Sequence, residues 1–334
     1  MTVEHQAAHS QETVPEPGAE APAVLVLKND SICLASCKAW PKGQELPKPR
    51  ANTWLEEFLA VSTLLLAFGW VITVPFFAAL PVWLLERMPG FLDLHIWDTW
   101  RRYFRMRAIT PEQPYLSKGR SYLFVQFPHA CCPIACWLVL GMAATPSAGL
   151  PMPIIRAVIA DVMFALPVVK QLLGWGGCHP ARKSTMLRLL HKGCLGCLPE
   201  GIAGVFHGAT PERERIYLSP RKGFVRLAIQ AGADLVPMYH LGQSQLLTYR
   251  GFPKLSRRLR ITLGWLWGRW YLPLPRKQDI VTLVGNPIAV EQADNPTAAY
   301  VDLIHMQLTE AVQELYNRHR HVLPGWEQRD LTIV

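Results

Sequence analysis

"SYLFVQFPHA", residues 121–130, is the stretch that decides the fold. Tyr122 to Val125 form a hydrophobic run typical of a strand, and the stretch ends in Phe127, Pro128 and His129. Active sites in open α/β sheets lie where strands end, and an imidazole exchanges protons near neutral pH. His129 is therefore a candidate for proton transfer. An isolated histidine after a strand is more often a hydrogen-bonded structural residue, and the residues alone leave that alternative open.

The chain beyond this stretch alternates strand and helix patterns. Three apolar runs are typical of strands: "CLGCLPEG" (194–201), "ADLVPMYHLG" (233–242) and "DIVTLVGNPIAV" (279–290). Ser219 and Pro220 favour the start of a helix that stops at Gly232, and Asn295-Pro296 opens a long amphipathic helix. Strands that alternate with helices predict a largely parallel α/β layer fold.

The first part of the chain carries a different pattern. Residues 54–85 are mostly apolar and carry no charge except at Glu56 and Glu57, and basic residues flank them on both sides. A straight spanning helix needs about 20 apolar residues, so the run is too long for one span and short for two. Basic flanks favour the cytosolic face for both ends. We expect a disordered cytosolic tail over 1–50 and a membrane-embedded helical hairpin over 51–92; a buried helix pair is the alternative.

Composition bounds the partners of the protein. Half of the 334 residues are hydrophobic, 18% are charged, and the formal net charge is +9. Such a balance suits anionic lipid headgroups or phosphate-bearing ligands, and no nucleic-acid motif accompanies it. The eight cysteines lie largely in apolar runs, as buried reduced thiols do. Cys194 and Cys197 have metal-like spacing but lack a second well-formed ligand pair, so no metal site is predicted.

Two further segments could carry chemistry. Glu200 lies in a Pro-Glu-Gly turn directly after an apolar strand, where a solvated turn glutamate is the alternative. Arg221 to Phe224, "RKGF", falls at an expected helix N-terminus, where backbone N–H groups and two cations could bind phosphate. An exposed helix face is the alternative there.

Taken in order, these motifs resemble the type 2 diacylglycerol acyltransferase family, which includes monoacylglycerol acyltransferases and wax-ester synthases. Residues 127–130, Phe-Pro-His-Ala, stand where the family has His-Pro-His-Gly. "RKGFVRLAIQAGADLVPMYHLGQS" (221–244), "WGRWYLPLPRK" (267–277) and "TLVGNPIAV" (282–290) follow in the family order. The Pro-Glu-Gly turn instead looks like the corresponding block of lysophospholipid acyltransferases.

The resemblance implies an α/β, glycerolipid-acyltransferase-like sheet with flanking helices over residues 93–334. It implies an enzyme of the endoplasmic-reticulum membrane and lipid-droplet surface, with most of the chain cytosolic. The expected reaction is acyl transfer from acyl-CoA, the co-substrate with no other cofactor, to diacylglycerol, giving triacylglycerol. Monoacylglycerol, fatty-alcohol and lysophospholipid acceptors stay open. So do a homo-oligomer and an inactive lipid-binding scaffold of the same fold.

The resemblance also assigns roles to residues. His129 matches the family's presumed general base. The aspartate that follows this histidine by five residues in lysophospholipid acyltransferases is Ile134 here, so Glu200 is the candidate substitute that orients His129. The predicted substrate-binding residues are Pro128, Gly201, Arg221, Lys222, Gly223 and Phe224.

Overall fold

The computed structural model describes residues 11–13, 25–28, 33–36, 39–68, 90–91, 94–112, 116–144, 155–165, 169–259 and 264–334. The strands are β1 (Gln11–Thr13), β2 (Leu25–Lys28), β3 (Cys33–Ser36), β4 (Arg107–Thr110), β5 (Tyr122–Phe127), β6 (Ile155–Ile159), β7 (Cys178–Pro180), β8 (Cys194–Cys197), β9 (Glu214–Ile216), β10 (Asp234–Leu241), β11 (Thr248–Gly251), β12 (Gly264–Trp267), β13 (Val281–Val284) and β14 (Leu331–Ile333). The helices are α1 (Trp54–Phe68), α2 (Ile96–Tyr103), α3 (Ile134–Ala144), α4 (Val169–Trp175), α5 (Lys183–Leu190), α6 (Gly201–His207), α7 (Gly223–Ala231), α8 (Pro253–Leu259) and α9 (Ala298–His319).

A ten-stranded sheet forms the centre of the molecule, in the order β1-β2-β3-β4-β13-β10-β5-β8-β6-β7. Strands β10, β5, β8, β6 and β7 are parallel along their shared ladder, whereas β13 pairs antiparallel with β10. The hairpin β11–β12 and the pair β9–β14 form two small separate sheets. The expectation of a parallel-rich α/β sheet with flanking helices is confirmed.

Strand β5 shows why the central strands read as continuous apolar runs. All six of its residues are buried. Successive side chains point to opposite faces, so Leu123, Val125 and Phe127 enter one core while Tyr122 and Phe124 enter the other. Helices α5, α7 and α9 cover the first core, and α1, α2 and α3 cover the second. Strands buried on both faces carry no polar alternation.

Helix α7 begins later than the sequence indicated. It starts at Gly223, with Lys222 as its N-cap, whereas Ser219 and Pro220 lie in the turn before it. Its end matches the prediction: Gly232 adopts φ +64°, the left-handed conformation that glycine takes at no steric cost. The Ser-Pro pair is a helix-start signal, but here it shapes a connecting turn.

The N-terminal part differs from the expected picture where it is described. Strands β1, β2 and β3 lie within the segment predicted as a disordered tail, and β3 pairs parallel with β4 at the sheet edge. Trp40 and Leu46 are also buried. Strand pairing at this side of the sheet, together with the burial of Ala35, Trp40 and Leu46, accounts for the order of these short stretches.

The structure describes only part of the segment predicted as a membrane hairpin, residues 51–92. Helix α1 occupies its first part, whereas residues 69–89 and 92–93 lie outside the described residues. Within the described part of the chain, no helix combines the length and apolarity needed to cross a bilayer. The boundaries at residues 50 and 92 stay predictions.

Candidate active site

His129 lies at the carboxyl end of β5, in the loop that leads to α3. The Phe127–Pro128 peptide is cis, Pro128 is buried, and His129 is half-buried. Its Nδ1 lies 2.9 Å from the carbonyl oxygen of Ala130. An oxygen acceptor there fixes the proton on Nδ1 and leaves the lone pair of Nε2 free. Burial holds the pKa of His129 below its ordinary value, so the ring is neutral at pH 7.

Glu200 joins this loop to a second one. Its side chain is fully buried. One carboxylate oxygen accepts the backbone N–H of His129 at 2.5 Å, and the other accepts the backbone N–H of Tyr217 at 3.0 Å. The structure thus brings Glu200 to His129, but the contact is with the main chain and not with the ring. From the sequence, we expected Glu200 to contact the imidazole ring of His129.

The electrostatics of Glu200 follow from its burial. Burial raises its pKa to about 7, because a charged carboxylate loses its hydration there. The two backbone N–H donors and Arg221 oppose this rise. The Glu200 carboxyl therefore holds its proton more tightly than a glutamate in water.

Two glycines let Glu200 adopt this position. Gly201, the first residue of α6, has φ +56°, a conformation that most residues avoid. A Cβ added to Gly204 would lie 2.5 Å from the Cβ of Glu200 and 3.0 Å from its Oε1. The Glu200 side chain therefore folds back over a helix surface that only glycine leaves open.

Arg221 also reaches the site. Its Nη2 donates to the main-chain carbonyl of Glu200 at 3.1 Å, and its guanidinium lies 5.4 Å from the centre of the Tyr217 ring. The half-buried guanidinium therefore stabilises the turn at the start of α6 and places a cation near the Glu200 carboxylate.

The remaining residues of the predicted phosphate segment take different positions. The Nζ of Lys222 forms an ion pair with Asp302 on α9 at 2.8 Å, on the exposed surface. Gly223 is exposed at the start of α7, and Phe224 is buried in the first core. Of the four residues in "RKGF", only Arg221 contacts the loops around His129 and Glu200 in the hydrogen bonds of the described residues.

Gln243 is a polar anchor that the sequence analysis passed over. It follows β10, and its side-chain oxygen accepts the N–H of Ala135 at 2.8 Å while its amide nitrogen donates to the carbonyl of Cys132. It therefore holds both ends of the turn between His129 and α3. A polar residue just beyond the buried strand β10 was the available signal, because ends of parallel strands meet at one edge of the sheet.

A second buried carboxylate, that of Glu214, stabilises the segments around His129. Glu214 on β9 accepts hydrogen bonds from Ser244, from the hydroxyl of Tyr239 at 2.7 Å, and from Arg329 at 3.2 Å. Burial raises its pKa to about 7, and the Glu200 charge adds to the rise. Because β9 leads into Tyr217 and Ser244 follows Gln243, this network fixes two of the segments that surround His129.

The cysteines near the site are packed thiols. Cys194 and Cys197 are buried in β8, and burial raises the pKa of Cys197 to about 12. Among the described residues, no group of three or more His, Cys, Asp or Glu side chains converges as a metal site would require.

Comparison with known proteins identifies the family. The family model for diacylglycerol acyltransferase matches residues 64–333. The chain therefore belongs to the diacylglycerol acyltransferase family, and the resemblance drawn from its motifs is confirmed. Among solved structures, the chain is similar to the 1-acyl-sn-glycerophosphate acyltransferase PlsC from Thermotoga maritima, with 12% sequence identity and a TM-score of 0.43. The alignment covers 79% of this chain and 96% of that one.

Several curated relatives are diacylglycerol O-acyltransferase 2 proteins of vertebrates. The human protein is 27% identical over 256 residues, which is 67% of this chain and 63% of the human one. The Danio rerio protein is 27% identical over 303 residues, covering 79% of this chain and 80% of that one. The match thus spans a little under two thirds of the human relative.

Proposed function

We propose that this protein is an acyl-CoA-dependent O-acyltransferase that converts diacylglycerol to triacylglycerol, with His129 as the general base. The observation that carries the proposal is the His129 ring itself. Its lowered pKa keeps it neutral at pH 7, its Nδ1 is engaged by Ala130, and its Nε2 has no hydrogen-bond partner among the described residues. The ring lies at the end of a central parallel strand. Family membership and the diacylglycerol acyltransferase relatives support the reaction class and the acceptor.

The proposed chemistry is a single acyl transfer. Nε2 of His129 takes the proton of the acceptor hydroxyl as its oxygen attacks the thioester carbonyl carbon of acyl-CoA. The new C–O bond forms, the C–S bond breaks, and the imidazolium returns its proton to the departing thiolate. The products are the ester and free CoA. A base whose pKa lies below its ordinary value is unprotonated at neutral pH, as this role requires.

Glu200 acts in this proposal as a positioning residue. It holds the main chain of His129 and of Tyr217, and Arg221 holds the Glu200 backbone in turn. The three interactions fix the direction in which the imidazole points. Arg221 is the member of the predicted phosphate segment that reaches these loops, and it stays the proposed contact for the CoA phosphates, which the pantetheine arm separates from the reacting thioester.

The acceptor and the location belong to the same proposal. We place the enzyme at the endoplasmic-reticulum membrane and the lipid-droplet surface, since both substrates carry long acyl chains and the family expectation agrees. Exclusion of water from a lipid-facing site also disfavours hydrolysis of the thioester. Monoacylglycerol, a fatty alcohol or a lysophospholipid is the competing acceptor.

The test uses microsomes from a host that lacks its own neutral-lipid acyltransferases. Wild type, His129→Ala and His191→Ala, a matched exposed histidine, are expressed at equal levels with labelled oleoyl-CoA and each of the four acceptors in turn. We expect label in triacylglycerol from wild type and His191→Ala, and none from His129→Ala. Label in another ester reassigns the acceptor. If folded, membrane-bound wild-type protein gives no labelled product with any acceptor, the proposal of an enzyme is wrong, and the inactive lipid-binding scaffold remains.

A further inference from the structure

An exposed aromatic surface lies outside the site described above. Large apolar side chains from α8, β12 and the loop after β12 point to solvent, and Trp270 and Tyr271 are 62% and 84% exposed. We call this surface the basic–aromatic face; its apolar members are Phe252, Leu255, Trp265, Trp270, Tyr271 and Leu272. Large exposed apolar side chains gathered on one hairpin and its flanking segments are typical of a surface that contacts a partner or a membrane.

The loop that carries Trp270 and Tyr271 is ordered in an unfavourable conformation. Trp270 has φ +56° and Tyr271 has φ +58°, the left-handed region that large side chains avoid. The main chain around them is hydrogen-bonded, with the N–H of Gly268 donating to Leu272 at 2.7 Å and the N–H of Arg269 donating to Leu274 at 2.7 Å. A strained backbone that holds two aromatic rings in solvent indicates that the exposed rings have a functional role.

The segment that carries these rings contributes only basic charge, and Glu57 of α1 pairs with two of its cations, Arg269 at 3.8 Å and Lys277 at 2.8 Å. Every charged residue from Arg250 to Lys277 is Lys or Arg. Arg250 lies directly opposite Trp265 across the β11–β12 ladder, and the guanidinium of Arg269 stacks 4.2 Å from the centre of the Trp270 ring. Aromatic rings sit at the headgroup level of bilayers, and neighbouring cations bind anionic headgroups. The chemistry therefore fits an anionic phospholipid surface.

The face continues onto helix α1. Trp54, Leu55 and Phe58 are exposed on this helix, which opens the segment predicted to enter the membrane. Glu57 of α1 forms an ion pair with Lys277 at 2.8 Å, so the two exposed surfaces are neighbours. Continuity with a segment of expected membrane contact selects the bilayer over a protein partner.

The same face adjoins the candidate active site. The thiol of Cys131, two residues after His129, donates to the carbonyl of Leu247 at 3.5 Å, just before β11. The Phe206 ring of α6 lies 5.7 Å from the Tyr249 ring of β11. The hairpin β11–β12 is therefore a direct neighbour of both loops that carry the site.

We infer that the basic–aromatic face docks on an anionic phospholipid surface, in addition to any membrane contact of the 51–92 segment, and turns the edge of the sheet with His129 toward the bilayer. The docking does not depend on the proposed reaction. Where that reaction holds, the acceptor reaches His129 from the membrane without crossing water.

The test is photo-crosslinking of the full-length chain reconstituted into phosphatidylcholine vesicles with or without labelled phosphatidylserine. One protein carries Trp265→p-benzoylphenylalanine, and the matched control carries Met306→p-benzoylphenylalanine, an exposed apolar position on α9, which covers the other face of the sheet. We expect labelled lipid on the first protein and little on the second. Charge reversal by Arg250→Glu weakens lipid crosslinking by about fivefold or more, as loss of one headgroup contact requires.

A second variant separates docking from folding. Trp270→Gly with Tyr271→Gly places glycine at two positive-φ positions, so the thermal midpoint stays equal or rises while lipid crosslinking from position 265 falls. A lower midpoint with unchanged crosslinking would make the loop merely structural. Crosslinks at 265 to a second copy of the chain, or equal lipid labelling at 265 and 306, would also overturn the inference. Acyl transfer measured on the same vesicles reports the proposed reaction independently.

Discussion

Replacement of Glu200 by Gln separates a positioning role from a structural one. The carboxylate accepts two backbone N–H groups, from His129 at 2.5 Å and from Tyr217 at 3.0 Å. A Gln side chain offers one oxygen and one NH2 group, so one backbone N–H must face another donor. A buried donor without an acceptor costs about 1–3 kcal/mol. The loop that carries His129 is then held at one point fewer.

The pH dependence of this change has a definite sign. Burial raises the pKa of Glu200 from 4.5 to about 7, so its proton stabilises the folded state. This stabilisation is full below about pH 4.5 and is lost as the pH rises through about 7, a change on the order of 3 kcal/mol. Gln cannot ionise and escapes that loss. The variant is therefore less stable than wild type in acid, and the difference shrinks or vanishes above neutral pH.

Catalysis responds differently from stability. A displaced loop moves Nε2 of His129 away from the acceptor hydroxyl, and displacement of a reacting group by about 1 Å costs about 100-fold in rate. We expect Glu200→Gln to lower kcat by about 10- to 100-fold at neutral pH, with KM for acyl-CoA little changed.

The assay measures initial rates against acyl-CoA concentration and denaturant unfolding of the same preparations in acid and above neutral pH. Glu212→Gln, the same change on an exposed side chain, is the control. Wild-type kcat in Glu200→Gln would refute the positioning argument. A stability difference that grows with rising pH would refute the argument from burial.

Two further changes test the same loop. Gln243→Glu replaces the amide that donates to the Cys132 carbonyl by an acceptor, so we expect a fall in kcat and a loss of about 1–3 kcal/mol in unfolding free energy. The control is Gln245→Glu, the same change at a half-buried neighbour. Equal effects of the two substitutions would contradict the role given to Gln243. Ala130→Gly removes the strain of a non-glycine residue at φ +48°, so we expect about 1 kcal/mol of added stability with activity retained, measured by thermal unfolding and acyl transfer.

Much of the sheet could be predicted because its strands are buried on both faces. Largely apolar runs such as residues 122–127 and 234–241, buried at every position, have few other stable arrangements, and the sequence also predicted α7 and α9. The edge strands β1–β3 could not be predicted. Their few residues contribute little pattern; β3 pairs with β4, β2 pairs with β3, and β1 pairs with β2.

The site was predictable in part for a similar reason. His129 and Glu200 each follow a strand, and the ends of parallel strands come together. What the sequence could not supply is which atoms meet. The expected ring contact of Glu200 is a contact with the main chain, and Lys222 pairs with Asp302 across a long sequence separation. Hydrogen-bond partners of this kind depend on tertiary packing, which single-residue patterns do not encode.

The two departures from the family motif bear on whether the site is competent. Phe127 stands where the family has its first histidine, and here its side chain is fully buried in the first core. The substitution therefore affects packing under the loop and does not alter the exposed edge of the His129 ring. Ala130 stands where the family has glycine and adopts the left-handed backbone that glycine would take freely. Both substitutions are therefore accommodated by the backbone path that presents His129.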